Sequence, residues 1–113
     1  MIEAYSFGRL WADGIEHTTD LVVDRQGVRG AWRRRQSHVL RIEDLDMALA
    51  LEPTTLVVGT GRFGLLRILG ETRRGLEGRG IRLVAQRTDR AWRTFNRLAS
   101  AGDRVVAALH IFC

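Results

Sequence analysis

The sequence predicts an α/β fold in which helices pack on a largely parallel or mixed sheet. Two observations lead to this prediction. Residues 8–33 contain short apolar segments separated by turn signals, which is typical of a β-meander. Residues 55–113 alternate between strand and helix patterns in the order βαβαβ. A chain of 113 residues fits a single domain, 1–113, and can bury a core without disulfides.

The first half consists of short strands joined by tight turns. Gly8–Ala12 is predicted as a strand, and the dipeptide Asp13–Gly14 is a hairpin signal. Leu21–Asp24 is a second strand, which Arg25–Gly27 connects by a turn to a third strand over Val28–Arg33. This pattern predicts an N-terminal meander that is added to the helix-bearing part of the sheet.

The second half begins with a helix and a buried strand. Apolar residues at spacings of three and four mark the helix, at Ile42, Leu45 and Leu49, and Pro53 ends it. Thr55–Gly59 then forms an apolar strand that leads into a glycine-rich turn.

Two further helices flank one strand. A helix over Glu71–Arg79 is expected to end at Gly80, and the strand Ile81–Gln86 follows. Thr88 is expected to cap the next helix, which ends near Gly102. One face of that helix is apolar and is formed by Trp92, Phe95, Leu98 and Ala99.

The last strand is predicted over Arg104–Phe112. It is apolar nearly throughout, and a strand that is apolar on both faces belongs in the middle of a sheet.

The charge is unevenly distributed along the chain. Residues 1–60 contain 7 arginines against 9 acidic residues, whereas residues 61–113 contain 11 arginines against 4. The basic half favours anionic partners. No apolar run approaches the roughly 20 residues that a membrane span needs, so no membrane insertion is expected. The start shows no secretory leader, and the single cysteine suits a reducing compartment, so a cytoplasmic location is expected.

The segment LVVGTGRFG, Leu56–Gly64, contains the G-x-G-x-x-G spacing of dinucleotide-binding proteins. Such a site needs a long helix that starts within the motif, but Gly70 interrupts the segment that follows. It also needs an acidic residue at the end of the next strand to hold the ribose, but that strand ends at Gln86. The sequence therefore does not support a dinucleotide site, and no cofactor is indicated.

Two interpretations of the glycine turn remain open. A small anion could bind at the strand end, where Gly59 and Gly61 let amides converge, Thr60 offers a hydroxyl and Arg62 supplies charge. Alternatively, the glycines only allow the chain to turn with positive φ against a neighbouring element.

The segment WRRRQSH is the densest basic run. Arg33, Arg34, Arg35 and His38 are candidates for a partner-binding patch, or they form a solvated strand end. Nucleic-acid binding would require an exposed aromatic platform beside these arginines, but Trp32 is predicted to face inward.

No catalytic or metal-binding set is predicted. His110 and Cys113 lie three residues apart, which on a strand places them on opposite faces and disfavours a metal site. A terminal carboxylate on Cys113 would also disfavour its thiolate. The carboxylates of Glu43, Asp44 and Asp46 lie in one helix and form no acid–base pair.

Five motifs in order indicate a family. They are YSFGRL, AWR followed by SH, VVGTG, the pattern T-x-x-A-x-x-x-x-N at Thr88, Ala91 and Asn96, and the final ALHIFC. With these motifs the chain resembles the adipogenesis-associated domain family, small proteins mostly of unknown function. The resemblance implies a three-layer α/β/α fold with a mixed central sheet and an added β-hairpin.

Eukaryotic members of that family include a mitochondrial assembly factor for complex I. The short N-terminus here leaves no room for a transit peptide, which favours a bacterial cytoplasmic protein. No catalytic residues carry over from the family.

The first hypothesis for function is therefore a non-enzymatic binding or assembly module with an unidentified protein partner. The alternative is a small enzyme or sensor that binds an anionic metabolite at Gly59–Arg62. Nucleic-acid binding is the third and least supported hypothesis.

Overall fold

The computed structural model describes all 113 residues. The N-terminal strands β1 (Ile2–Ser6), β2 (Arg9–Ala12) and β3 (Ile15–His17) form a separate antiparallel sheet. Asp13 and Gly14 connect β2 to β3 with φ values of 52° and 78°. Positive φ at both positions is the geometry of the predicted two-residue hairpin turn.

The remaining elements alternate as the sequence pattern predicts, with two additional short strands. They are β4 (Leu21–Asp24), β5 (Gly27–Ala31), β6 (Val39–Leu40), a 3₁₀ helix (Ile42–Leu45), α1 (Asp46–Ala50), β7 (Thr55–Thr60), β8 (Arg67–Ile68), α2 (Gly70–Gly78), β9 (Arg82–Gln86), α3 (Thr88–Ser100) and β10 (Val105–His110). The helix predicted around residues 42–49 is thus divided into a 3₁₀ turn and a short α-helix.

The central sheet has five strands in the order β5-β4-β10-β7-β9. β10 pairs in parallel with β7, which pairs in parallel with β9, while β4 is antiparallel to both β10 and β5. The sheet is therefore mixed, as expected, and the apolar strand β10 is its middle strand. The three parallel strands end at one edge of the sheet, which is called the carboxyl edge below.

Two hydrophobic cores lie on opposite faces of this sheet and make the fold three-layered. Because side chains alternate along a strand, Ala107 and Leu109 of β10 pack with α3 and the N-terminal sheet, while Val106 and Ala108 pack with α1 and α2. All six residues of β10 are buried. The α/β prediction is confirmed, including the apolar face of α3, where Phe95 is only 2% exposed.

The Asn96 side chain on α3 forms hydrogen bonds with the N-terminal sheet. The Asn96 amide nitrogen donates to the Ile2 carbonyl at 2.7 Å, and the Ile2 amide donates to the Asn96 side-chain oxygen at 3.1 Å. This reciprocal pair explains the asparagine at the end of the T-x-x-A-x-x-x-x-N motif.

The helix ends confirm one prediction and correct another. At the end of α2, Gly80 has a φ of 71° and Ile81 donates to the Leu76 carbonyl, as expected for a glycine-terminated helix. The prediction that Thr88 caps α3 is wrong. α3 begins after Arg87 without a side-chain cap, because the Thr88 hydroxyl is used elsewhere.

Candidate functional site

The carboxyl edge brings together most of the residues that the sequence analysis selected. β7, β9 and β10 end there at Thr60, Gln86 and His110, and the register pairs His110 with Thr60. α2 and α3 follow β7 and β9 on opposite faces of the sheet, since Leu76 belongs to one core and Ala91 to the other. Such a point, where helices leave for opposite faces, is a common location for ligands in α/β proteins.

The glycines of the turn permit close backbone packing. Gly61 has a φ of 101°, and a Cβ on it would lie 2.2 Å from the carbonyl carbon of Cys113. A Cβ on Gly59 would lie 2.7 Å from the Thr88 hydroxyl oxygen. Both approaches are too short for a side chain, so close packing accounts for Gly59, and close packing together with positive φ accounts for Gly61.

Thr88 ties the glycine turn to β10. Its hydroxyl accepts a hydrogen bond from the Gly61 amide at 2.9 Å and donates one to the His110 carbonyl. The residue is completely buried. Thr60 makes the second link across the edge, because its hydroxyl donates to the Gln86 carbonyl at 3.1 Å.

The amides after the turn bind the segment 111–113 rather than facing solvent. Arg62 donates to the Phe112 carbonyl at 2.7 Å, and the amides of Phe63 and Leu65 donate to the main-chain oxygen of Cys113 at 3.1 and 3.2 Å. The amides do converge on an oxygen, but the oxygen belongs to this chain. An external anion at Gly59–Arg62 would have to displace residues 112–113.

The structure lacks the geometry of a dinucleotide site. The turn leads into β8, and the helix that follows, α2, begins only at Gly70. β9 ends at Gln86, and the Arg87 side chain that follows lies along Gly64, whose Cβ would meet the Arg87 Cγ at 3.4 Å.

A buried ionic group lies beside the turn. His110 Nδ1 is 2.8 Å from the Asp20 carboxylate, which also accepts from the Ile111 amide at 2.8 Å and from Arg34 at 2.9 Å. The side chains of Arg34, Asp20 and His110 are only 4%, 10% and 4% exposed. Burial alone would raise the pKa of Asp20, but the hydrogen bonds from His110 and Ile111 and the charges of His110 and Arg34 lower it below its ordinary value.

The four residues of the predicted partner patch do not form one surface. Arg33 and Arg35 are exposed, whereas the Arg34 guanidinium is buried 4.5 Å from the centre of the Trp32 ring. Trp32 faces inward as predicted, with 5% exposure. His38 is exposed, and its ring lies at the carboxyl edge, 6.1 Å from that of His110.

The prediction that His110 and Cys113 lie on opposite faces is wrong. β10 ends at His110, so the alternation of a strand does not extend to Cys113. The potential ligand atoms of His38, His110 and Cys113 all lie within 4.8 Å of one another. Cys113 is a free thiol and is half-buried.

Exposed aromatic side chains cover the outside of the same edge. The Phe7 ring lies 6.5 Å from that of Phe63 and 5.9 Å from that of Phe112. Their exposures are 55%, 61% and 37%, and Leu65, two residues after Phe63, is 55% exposed. We call Phe7, Phe63 and Phe112 the aromatic patch.

Tyr5 lies at the same edge. Its hydroxyl donates to the Ile111 carbonyl at 3.0 Å. Burial raises the pKa of Tyr5 to about 12, and the charges of Asp89 and Asp20 add to this while that of Arg62 opposes it.

Asp20, Tyr5 and the aromatic patch are not among the site residues predicted from the sequence. Asp20 follows HTT and precedes a buried strand, so a carboxylate next to an apolar strand was the only available signal. Its partners Arg34, His110 and Ile111 are 14, 90 and 91 residues away.

The open depressions of the surface lie elsewhere. One of about 520 Å³ is bordered by Glu52 and Arg104 at the opposite edge of the sheet. The other, of about 260 Å³, is bordered by Met1 and Asn96. No helix in the structure is long and apolar enough to cross a membrane.

Comparison with known proteins identifies a family but no activity. Residues 2–110 match the model of a family described as protein of unknown function, DUF498/DUF598. No curated protein matches the chain.

Solved structures share the whole fold. A conserved hypothetical protein from Pyrococcus horikoshii OT3 is 27% identical, with a TM-score of 0.83 over 100% of this chain and 99% of its own. A protein described as an outer membrane protein from Bartonella henselae is 28% identical, with a TM-score of 0.79 over 99% of this chain and 94% of its own. A Bordetella pertussis protein described as a Mth938-like domain is 25% identical, with a TM-score of 0.77 over 97% of this chain and 84% of its own. The match over nearly the full sequence and the shared fold show that this chain belongs to the DUF498/DUF598 family of proteins of unknown function.

Proposed function

We propose that this chain is a non-enzymatic protein-binding module whose aromatic patch receives an apolar segment of a partner with acidic residues beside it. The observation that carries the proposal is the clustering of Phe7, Phe63 and Phe112 in contact distance at an exposed edge. Aromatic residues are enriched in the centres of protein interfaces, and contiguous exposed apolar patches often mark binding sites.

The backbone hydrogen bonds beneath the patch prepare it for binding. The Gly8 amide donates to the Ile111 carbonyl at 2.8 Å, next to Phe7, and the Arg62 amide donates to the Phe112 carbonyl at 2.7 Å, next to Phe63. Because the backbone that carries the rings is already fixed, a partner need not supply the free energy of ordering it.

The charge beside the patch selects the partner's chemistry. Arg62 precedes Phe63 and Arg87 packs along the same turn, and neither guanidinium is paired with a carboxylate in the structure. Unpaired cations next to exposed aromatic rings favour an apolar segment that carries aspartate or glutamate. The sequence resemblance to a family that includes a complex I assembly factor supports a role in assembling a larger complex.

A pull-down with matched variants tests the proposal. Tagged wild-type chain, Phe63→Ser and Ile15→Ser are incubated with native lysate, and bound proteins are quantified by mass spectrometry. Ile15 is the control, because it is 60% exposed, similar to Phe63 at 61%, but lies on β3 outside the aromatic patch. Loss of a central aromatic contact typically lowers affinity by about 30-fold or more.

We expect a defined partner to be recovered by wild type and Ile15→Ser and to be strongly reduced for Phe63→Ser. Equal recovery by both variants, or no specific partner, contradicts the proposal. Sedimentation with anionic phosphatidylglycerol vesicles is measured in parallel. Vesicle binding that depends on Phe63, without a protein partner, would assign the patch to a lipid surface instead.

The anion site at Gly59–Arg62 is the second candidate function, favoured by the unpaired guanidinium of Arg62. In a thermal-shift screen with phosphates, nucleotides and carboxylates, a ligand at 100 times its Kd should add about 2.7 kcal/mol to the free energy of unfolding. Arg62→Ala should abolish that gain. A flat screen would remove this anion site as a candidate function.

A further inference from the structure

A cluster of nitrogen and sulfur ligands lies beneath the aromatic patch, and neither the family nor the proposed function assigns it a role. His38 comes from the loop before β6, while His110 and Cys113 come from the end of β10 and the segment after it. Their potential ligand atoms lie within 4.8 Å of one another. Because His38 and His110 are far apart in the sequence, only the tertiary structure brings these ligands together.

His110 is prepared to use its Nε2 atom as a ligand. The Asp20 carboxylate, 2.8 Å from Nδ1, can only accept a hydrogen bond, so in the neutral ring the proton is on Nδ1 and Nε2 has a free lone pair. Nε2 is buried and has no hydrogen-bond partner. Metal-binding histidines commonly hold a carboxylate on the opposite ring nitrogen, which fixes the tautomer and the ring orientation.

Arg34 is the one cation in this group, and Asp20 neutralises it. Its guanidinium lies 2.9 Å from the Asp20 carboxylate and 3.1 Å from His110 Nδ1, on the side of the ring away from Nε2. The charge of Arg34 is thus compensated before a metal ion binds.

The free edge of the His110 ring faces the segment that carries Cys113. A Cβ on Gly61 would lie 3.0 Å from His110 Cδ2, the atom bonded to Nε2, and 2.2 Å from the Cys113 carbonyl carbon. The His38 ring lies beside the His110 ring at an interplanar angle of 69°. Three ligands therefore converge from different directions on one place.

We propose that His38, His110 Nε2 and Cys113 bind a single Zn²⁺ ion. Two imidazoles and a thiolate form a donor set that zinc prefers, whereas Mg²⁺ and Ca²⁺ require oxygen. Zinc bond lengths of about 2.0–2.1 Å to nitrogen and about 2.3 Å to sulfur place tetrahedral ligand atoms about 3.3–3.6 Å apart.

From their 4.8 Å limit, the ligand atoms must approach one another by up to about 1.2–1.5 Å to reach that geometry. His38 is exposed and Cys113 is half-buried, so side-chain rotation supplies the movement while His110 stays fixed. Three protein ligands leave one tetrahedral position for water or an external group. The zinc site does not depend on the protein-binding function proposed above.

Metal binding is tested with the full chain, free of any polyhistidine tag. Zn²⁺ affinity and stoichiometry are measured by isothermal titration calorimetry, and Co²⁺ is used as a spectroscopic substitute. We expect one Zn²⁺ per chain, visible bands of tetrahedral Co²⁺ and a near-ultraviolet thiolate-to-cobalt charge-transfer band.

Ligand variants and a matched histidine control complete the test. His38→Gln changes an exposed residue and is expected to leave the fold intact, and Cys113→Ser removes the thiolate. His17→Gln is the control, since His17 lies on β3 outside the cluster. Each ligand variant should lower Zn²⁺ affinity by at least about 100-fold, beyond the 10–100-fold typical of losing an outer-shell partner.

Three results would overturn the zinc site. They are an octahedral Co²⁺ spectrum without the thiolate band, a retained thiolate band in Cys113→Ser, and equal loss of affinity in His38→Gln and His17→Gln. Failure of the zinc titration leaves the pull-down result unaffected, so the two proposals fail separately.

Discussion

Replacing Thr88 by valine removes the hydroxyl that joins the glycine turn to the middle strand while keeping the shape of the side chain. The expected loss of stability can be estimated from the two hydrogen bonds that the hydroxyl makes. The Gly61 amide is buried, its only acceptor is the Thr88 hydroxyl at 2.9 Å, and the His110 carbonyl loses its donor in the same substitution. An orphaned buried amide costs about 1–3 kcal/mol, and the lost hydrogen bond to the carbonyl costs about 1 kcal/mol more.

We therefore expect Thr88→Val to lower the free energy of unfolding by about 2–4 kcal/mol, a large fraction of the stability of a domain of this size. Urea unfolding, followed by the fluorescence of the three tryptophans, measures this change. Thr88→Ser is the control. It keeps both hydrogen bonds and removes one methyl group, at a cost of about 0.8 kcal/mol.

The difference in stability between the two variants tests the role of the Thr88 hydroxyl. If Thr88→Val is as stable as Thr88→Ser, the hydroxyl does not hold the turn. Amide hydrogen exchange at Gly61 gives an independent measurement, because its protection should fall in the valine variant and persist in the serine variant.

Three further predictions concern the same edge and the buried ion pair. Tyr5, the only tyrosine, should titrate near pH 12 in the native chain, by phenolate absorbance, and near its ordinary value of 10 in denaturant. Its contribution to stability is thus complete below pH 10 and is lost as the pH rises through 12. Gly61→Ala should destabilise the chain in urea far more than Gly80→Ala, because both residues have positive φ but only Gly61 lies against another segment. Arg34→Ala should cost about 3–5 kcal/mol in the same assay, because it removes the guanidinium that neutralises the buried Asp20 carboxylate and leaves only the hydrogen bonds from His110 and Ile111. Arg33→Ala, which changes an exposed side chain, should cost at most about 0.5 kcal/mol.

Each prediction has a clear contrary result. A native phenol transition near pH 10 would show that the Tyr5 hydroxyl is solvated. Equal stability of the two glycine variants would contradict the close approach of Cys113 to Gly61. A small effect of Arg34→Ala would show that the hydrogen bonds from His110 and Ile111 are enough to stabilise the buried Asp20 carboxylate.

The sequence predicts the fold well where the position of an element in the structure determines its local residue pattern. β10 is apolar because both of its faces are buried, and for that reason its central place could be read from its composition. The turns at Asp13–Gly14 and Gly80 could also be predicted, since positive φ restricts the residue type there.

The candidate site is less predictable because its contacts connect distant segments. Thr88 has the local pattern of a helix cap, but its hydroxyl bonds to residues 27 and 22 positions away, which no local rule contains. The end of β10 was also hidden, since Ile111 and Phe112 continue the apolar pattern although the strand stops at His110. Phe112 is exposed because it lies beyond the end of the strand, and its residue type gives no sign of this.

The place of β10 in the sheet has a consequence for synthesis in the cell. It is later in sequence than every other strand, yet it separates the β4–β5 hairpin from β7. Until residues 105–110 leave the ribosome, a nascent chain therefore has two apolar strand margins with open hydrogen-bonding groups, which are the surfaces that chaperones protect from aggregation. The two halves of the central sheet can join only after translation has reached β10.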